Sequence, residues 1–146
     1  METKQTYDKP LPKLTALNRP FWDGTLRGEL RTQRCRSCEK HWYPIEPRCP
    51  KCLSDQYDWA VLSGRGTVLS FVVFHQVYDA RFKDAVPYNV ALVELEEDVR
   101  MFSNIVGIAD DLIHVGMPVQ VEFHPATSEV AIPRFRPWGA SSAALT

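Results

Sequence analysis

The chain has 146 residues, of which 45% are hydrophobic, so it is long enough to bury one core with a small additional module beside it. The formal net charge of −1 and the pI near 6.4 disfavour a dedicated nucleic-acid-binding protein, because such proteins usually carry a large positive charge. No apolar run approaches the roughly 18 residues of a membrane-spanning helix, and no secretory signal is recognised, so we expect a cytoplasmic protein without a membrane partner.

Residues 1–28 are predicted to form an extended polar arm followed by a short helix. Asn18 is a suitable residue to cap this helix, and Pro20 fits its first turn. Phe21 and Trp22 would then lie on an apolar face. This face either packs onto the rest of the chain or presents an aromatic ridge to a protein partner.

All four cysteines of the chain stand in two Cys-x-x-Cys pairs, Cys35 with Cys38 and Cys49 with Cys52, inside a module predicted over residues 29–57. Four thiolates suit a tetrahedral Zn²⁺ ion in a closed structural site. Two disulfides are disfavoured by the two-residue spacing, and a thioredoxin-like pair would need only one motif in a βαβ context. The pattern therefore favours a zinc ribbon, while a rubredoxin-type iron or an iron–sulfur cluster stays open because it uses the same ligands.

Bulky rings and basic side chains surround these cysteines. Trp42 and Tyr43 lie in the loop between the two cysteine pairs, where they either form the miniature core of the module or join Phe21 and Trp22 in a partner interface. Six basic and two acidic residues lie between Arg31 and Cys52. Such a cationic rim either keeps the module soluble or meets phosphates or an acidic partner.

From residue 58 to residue 138 the sequence has the pattern of β-strands, and residues 139–146 are predicted to be a flexible tail. Strands are predicted over residues 59–62, 67–75, 89–95, 99–106, 119–123 and 130–132, and one short helix over residues 108–115 ends at Gly116. The chain is predicted to leave the last strand at Pro133 and to pass from there into the flexible tail. This order is typical of an OB-type Greek-key barrel, which makes the chain mainly β. The strand over 67–75 is apolar on both faces, so its outer face needs cover, most economically from this chain's own ribbon or helix.

The order of motifs along the chain resembles a known family. It comprises Phe21-Trp22, the ribbon with Tyr43-Pro44 in its loop, Ser63-Gly64-Arg65-Gly66-Thr67-Val68, Pro87-Tyr88 and Gly116-Met117-Pro118-Val119. From about Leu14 to Trp138 the chain is similar to the OB-fold proteins of acyl-CoA metabolism, which join a rubredoxin-like zinc ribbon to an OB domain. Glu39 departs from the family pattern, since a glycine commonly follows the second cysteine, and Pro44-Ile45 replaces a frequent Pro-Pro.

The resemblance implies a non-catalytic, zinc-containing accessory subunit. Such a subunit docks on a thiolase-fold enzyme in a hetero-oligomer, a thiolase or an aldolase, and supports the binding of a bulky acyl-CoA while the partner supplies the chemistry. CoA recognition requires cations for phosphates and flat rings for the adenine or pantetheine. The candidates for these contacts are Arg65, Arg81, Lys83, Tyr88, Arg134 and Arg136.

A stand-alone OB module that binds single-stranded nucleic acid is the alternative from another functional class. OB grooves bind such strands with cationic rims and stacked rings. The near-neutral net charge of the chain disfavours this alternative.

Overall fold

The computed structural model describes residues 9–138. The first eight residues of the predicted arm and the predicted tail over residues 139–146 lie outside the described residues. The described part contains α1 (Arg19–Leu26), β1 (Arg31–Cys35), β2 (His41–Trp42), β3 (Tyr57–Val61), β4 (Arg65–Phe74), β5 (Tyr88–Leu95), β6 (Arg100–Ser103), β7 (Pro118–Pro125) and β8 (Ala131–Pro137). Among residues 9–138, no helix is long and apolar enough to cross a membrane.

Helix α1 begins after Asn18 and includes Pro20 in its first turn, as predicted. The Asn18 side chain does not cap the helix; its Oδ1 accepts a hydrogen bond from the amide of Thr15 at 2.8 Å instead. Phe21 enters the core of the barrel, and Thr25 Oγ1 accepts a hydrogen bond from the amide of Ala131 at 3.3 Å. The helix is therefore fixed to the barrel by both an apolar contact and a polar one.

The smaller sheet holds the cysteines and has the antiparallel order β2-β1-β3. Strand β3 pairs with β1 along its whole length, from Tyr57 opposite Cys35 to Val61 opposite Arg31. The sequence analysis groups residues 59–62 with the barrel strands, whereas the structure pairs residues 57–61 with the ribbon strand β1. Alternation of apolar residues does not reveal which neighbour a strand pairs with. The division of the chain at residue 58 stays a prediction.

The larger sheet is antiparallel, with the order β6-β5-β4-β7-β8, and it curls until its two edges meet. A parallel bridge joins Ile105 to Phe135, and the amide of Phe135 donates to the carbonyl of Asn104 at 3.0 Å. The inner face holds the buried side chains of Val68, Val93, Met101, Val119 and Phe135. This curled five-stranded sheet confirms the predicted OB-type fold.

Two glycines explain the turn before β4. Gly64 has a φ of +77°, which favours glycine, and a Cβ atom at this position would meet the side chain of Val121. A Cβ atom at Gly66 would meet the backbone carbonyl of Glu94 on the paired strand. The Ser-Gly-Arg-Gly motif therefore permits the close approach of β4 to β5 and β7.

Three sequence expectations about the barrel are wrong. The helix over residues 108–115 is only a 3₁₀ turn at Asp110–Leu112, since Ile113 adopts an extended backbone and is buried. The tail predicted from Pro133 is instead part of β8, an outer strand of the larger sheet, where prolines are tolerated. The outer face of β4 is not covered by the ribbon or the helix at Val72, which is 54% exposed, and rings of the neighbouring loop and strand partly cover Phe74.

Candidate functional site

The four cysteine sulfurs form one compact cluster. All four Sγ atoms lie within 4.8 Å of one another, with Cys35 Sγ 3.5 Å from Cys52 Sγ and Cys38 Sγ 3.6 Å from Cys49 Sγ. A tetrahedral zinc with Zn–S bonds of about 2.3 Å needs sulfurs about 3.8 Å apart. The donor set therefore fits a structural zinc ion, held by Cys35, Cys38, Cys49 and Cys52.

Two equivalent turns bring these sulfurs together. In the first, the amide of Ser37 donates to Cys35 Sγ at 3.3 Å, and in the second the amide of Lys51 donates to Cys49 Sγ at 3.4 Å. Each turn closes on a residue with left-handed backbone, Glu39 at a φ of 66° and Leu53 at a φ of 64°. Amides that point at sulfur stabilise thiolates, which is the form that binds metal.

Proton sharing within the cluster separates the thiol pKa values. The amide of Cys38, which donates to Cys35 Sγ at 3.4 Å, holds the pKa of Cys35 at about 6. Although the amide of Ser54 lowers the pKa of Cys52, the sulfurs of Cys35 and Cys38 help to raise it to about 12. Metal binding must therefore displace at least the proton on Cys52.

The aromatic residues predicted for a partner interface differ in exposure. Phe21 and Trp42 have relative exposures of 1% and 4%, and the Trp42 ring packs edge-on against Tyr57 at a centroid distance of 5.6 Å. Neither ring reaches a partner without opening the core. Trp22 and Tyr43 are half-buried against the same core, and a partner role for these two stays a prediction.

A pocket of about 290 Å³ lies beside the N-terminal end of β5. Asn89, a buried polar residue, forms its floor: Nδ2 donates to the carbonyl of Ile105 at 2.8 Å and to Asp110 Oδ1 at 3.0 Å, and Oδ1 accepts from the amide of Ile105 at 2.7 Å. The charged, amide and aromatic side chains of the pocket wall, which can contact a ligand, are those of Lys9, Phe82, Tyr88, Asn104, Asp110 and Arg134.

Arg134 is a side chain of this wall that has a buried nitrogen atom without a hydrogen-bond partner among the described residues. This atom is Nε, while Nη1 lies 3.5 Å from Nδ1 of His124. A buried guanidinium nitrogen without a partner is costly, and Arg134 also lines the pocket, where its positive charge suits an anionic ligand.

Two rings of this wall, Tyr88 and Phe82, belong to a column of aromatic rings that continues to Phe74 outside the pocket. The Tyr88 ring stacks between Phe74, at a centroid distance of 5.2 Å, and Phe82, at 5.4 Å. Lys9 Nζ lies 6.0 Å from the Phe82 ring centroid at one end of the column. The pocket thus combines flat rings with two cations.

The structure brings only two of the predicted CoA contacts together in this pocket, Tyr88 and Arg134. Arg81 is exposed and bound to Asp79 at 2.7 Å, and this bond helps hold the pKa of Asp79 at about 2. Lys83 is exposed outside the pocket wall.

The two remaining candidates, Arg65 and Arg136, form a separate group on the outer face of the barrel. Both pair with Gln120 of β7, one from each side, and the Arg65 guanidinium lies 4.3 Å from the Trp138 ring centroid.

Sequence reasoning missed Lys9, Asn89, Asn104 and Asp110. A buried asparagine next to Pro87-Tyr88 has no distinctive sequence signal, and Lys9 reaches the pocket from a polar arm for which no contact was predicted. Because these contacts span many residues of the sequence, only the fold assembles them.

Two family models match the chain in tandem. The ChsH2 rubredoxin-like zinc ribbon domain matches residues 22–58, and the ChsH2 C-terminal OB-fold domain matches residues 59–124. A solved structure described as an Ltp2-ChsH2(DUF35) aldolase contains a chain that is 38% identical, with a TM-score of 0.77, and the match covers 87% of this chain and 98% of that one. This chain belongs to the ChsH2/DUF35 family.

Relatives in the ChsH2/DUF35 family carry names from acyl-CoA metabolism. A probable enoyl-CoA hydratase alpha subunit of Thermomonospora curvata is 40% identical over 141 residues, which are 93% of this chain but 44% of that protein. Benzoylsuccinyl-CoA thiolase subunit BbsA of Geobacter metallireducens is 33% identical over 81 residues, 56% of this chain and 53% of that protein. The chain therefore spans less than half of the first relative and about half of the second.

Proposed function

We propose that this chain is a zinc-containing, non-catalytic accessory subunit of a cytoplasmic complex in which a thiolase-fold enzyme, a thiolase or an aldolase, processes a bulky acyl-CoA. One observation carries the proposal: the whole described fold is similar to a chain named as part of an Ltp2-ChsH2(DUF35) aldolase, at 38% identity and 98% coverage of that chain. The free, clustered cysteines support a reducing, cytoplasmic setting.

Zinc has a structural role in this proposal. Four sulfur ligands leave no coordination position for water or substrate, so the ion supplies a cross-link between the two turns and no Lewis-acid chemistry. The chain's contribution is to hold the ribbon and the barrel in the shape that the partner recognises.

The pocket wall supports direct contact with CoA. Lys9 and the guanidinium group of Arg134 suit phosphate oxygens, and the rings of Tyr88 and Phe82 suit a flat adenine ring. At about 290 Å³ the pocket is at the lower limit for a small-molecule site, so it would take only the nucleotide end of CoA. The acyl group would then extend toward the partner.

Arg134→Ala tests the CoA contact. Loss of a charge-assisted hydrogen bond to phosphate should weaken the affinity of the assembled complex for CoA by about tenfold, measured by isothermal titration calorimetry. Arg81→Ala is the matched control, because Arg81 is bound to Asp79 and does not line the pocket. Equal affinity of the Arg134→Ala complex and the wild-type complex would remove CoA from this pocket.

A stand-alone nucleic-acid-binding module is not favoured. The relatives are subunits named for acyl-CoA enzymes, and the five basic side chains predicted as ligand contacts are split between the pocket, an exposed loop and a distant face. A single-stranded nucleic acid needs a continuous cationic groove with stacking rings.

A further inference from the structure

The outer face of β4, β5 and β6 carries a continuous apolar surface. Residues directly opposite one another on antiparallel strands point to the same side of the sheet. The pairs Val72 with Val90 and Phe74 with Tyr88 join β4 to β5, and Leu92 with Phe102 joins β5 to β6. We define the apolar outer patch as Val72, Phe74, Tyr88, Val90, Leu92 and Phe102.

This patch is the opposite face from the barrel core. The intervening residues Ala91, Val93 and Met101 are buried inside, so the strands keep their ordinary alternation and the core is already complete. Phe102 is 72% exposed and Val72 is 54% exposed. Phe82 and Tyr78 of the loop after β4 cover part of Tyr88 and Phe74, whereas Val72 and Phe102 stay exposed. Exposed side chains of this size on an outer sheet face are typical of an interaction surface.

Charge around the patch is self-compensated. At one end Glu94 binds Arg100 at 3.1 Å, and at the loop end Asp79 binds Arg81 at 2.7 Å. None of the six patch residues carries a charge. A surface of this kind complements an uncharged apolar protein face and offers nothing to phosphates or to an acidic partner.

We propose that the apolar outer patch is the docking surface for the acyl-CoA-processing partner subunit, an inference that rests on the proposed function. Tyr88 belongs both to the patch and to the pocket wall, so a partner seated on the patch also lies at the mouth of the pocket. Docking would therefore place the partner where it meets the acyl-bearing arm of a CoA whose nucleotide end is bound in the pocket. The surface of the partner that contacts the apolar outer patch is itself apolar where it meets Phe102 and Val72.

Phe102→Glu tests this assignment. A glutamate in place of the most exposed ring of the patch should weaken the affinity for the partner by about tenfold or more. Because Phe102 is largely exposed in the free chain, the variant should unfold at the same temperature as the wild type. Val61→Glu is the matched control, since Val61 is also exposed, at 58%, but lies on β3 of the other sheet.

The probe is the large subunit that co-purifies with the tagged wild-type chain, separated and titrated against each variant by sedimentation velocity. A selective loss for Phe102→Glu, with Val61→Glu unchanged, supports the docking surface. Wild-type affinity for Phe102→Glu, or an equal loss for both variants, overturns it while leaving the proposed function intact. Self-association of the free chain that Phe102→Glu abolishes without affecting the large subunit assigns the patch to a second copy and also overturns it. If the wild-type chain binds no acyl-CoA enzyme, the proposed function itself fails.

Discussion

At the scale of single residues, two exposed residues of the ribbon have a strained backbone conformation. Glu39 and Leu53 occupy equivalent positions in the two cysteine turns, and both have a positive φ that favours glycine. For a residue with a Cβ atom this backbone costs about 1 kcal/mol. The geometry explains why the family pattern has a glycine after the second cysteine, and why Glu39 is a departure with an energetic consequence.

Glu39→Gly should stabilise the metal-loaded chain by about 0.5 kcal/mol, since relief of the left-handed backbone exceeds the added entropy of the unfolded chain. The lost ion pair with Arg34, at 3.3 Å between exposed side chains, contributes little. Urea unfolding measures the change. Glu39→Ala is the control, because it removes the ion pair and keeps the strain, and a glycine variant less stable than this alanine variant would contradict the explanation.

Site residues were predicted best from the sequence where all of them belong to one pair of short motifs. The spacing of Cys35, Cys38, Cys49 and Cys52 is sufficient to predict the cluster that the fold assembles. Tyr88 and Arg134 were proposed for ligand contact, and the fold places both in one pocket. Lys9 was not predicted, because its position depends on where the polar arm crosses the barrel.

At the scale of elements, the ribbon depends on a few specific links. The buried side chain of Gln33 on β1 donates to the carbonyl of Glu46 at 2.6 Å and accepts from its amide at 2.9 Å. The second cluster of buried residues contains only Cys35, Trp42 and Cys49. A core this small needs a metal cross-link for stability.

Zinc should leave the ribbon as the pH falls. Only thiolates bind the ion, so protons compete with it: the lowered pKa of Cys35 favours the metal, whereas the raised pKa of Cys52 favours the proton. We expect one zinc per chain at pH 8 by atomic emission and progressive loss below about pH 6. Hydrogen exchange should show that β1 and β3 lose protection while β4 and β5 keep it. Full zinc retention at pH 4 would contradict proton competition at the thiolates, and equal loss of protection in the barrel strands would contradict a metal that stabilises mainly the ribbon.

Element boundaries show what a linear pattern can predict. Strand β5 follows its alternation of buried and exposed residues closely, whereas a bulge between Val68 and Ser70 shifts the alternation of β4. Strand β8 was missed at Pro133 and Pro137, because proline weakens a strand signal although an outer strand tolerates it. The partner of β3 could not be predicted, since pairing depends on tertiary contacts.

At the scale of the whole molecule, the shared core and the apolar outer patch lie on opposite faces of the larger sheet. Phe21 of α1 and Leu30 next to β1 enter the same core as the barrel strands, so helix, ribbon and barrel share their apolar interior. The apolar outer patch lies outside that interior. The sequence indicates that strand 67–75 is apolar on both faces, and the three-dimensional arrangement then shows which face is exposed.

The central claim is that the chain works as a subunit of an acyl-CoA-processing assembly. Native mass spectrometry of the tagged chain, purified from its own cells, tests this most directly. The account predicts a discrete hetero-oligomer that contains a thiolase-fold polypeptide in fixed ratio and one zinc per copy of this chain. Recovery of the chain alone, or with nucleic acid and no acyl-CoA enzyme, would contradict it.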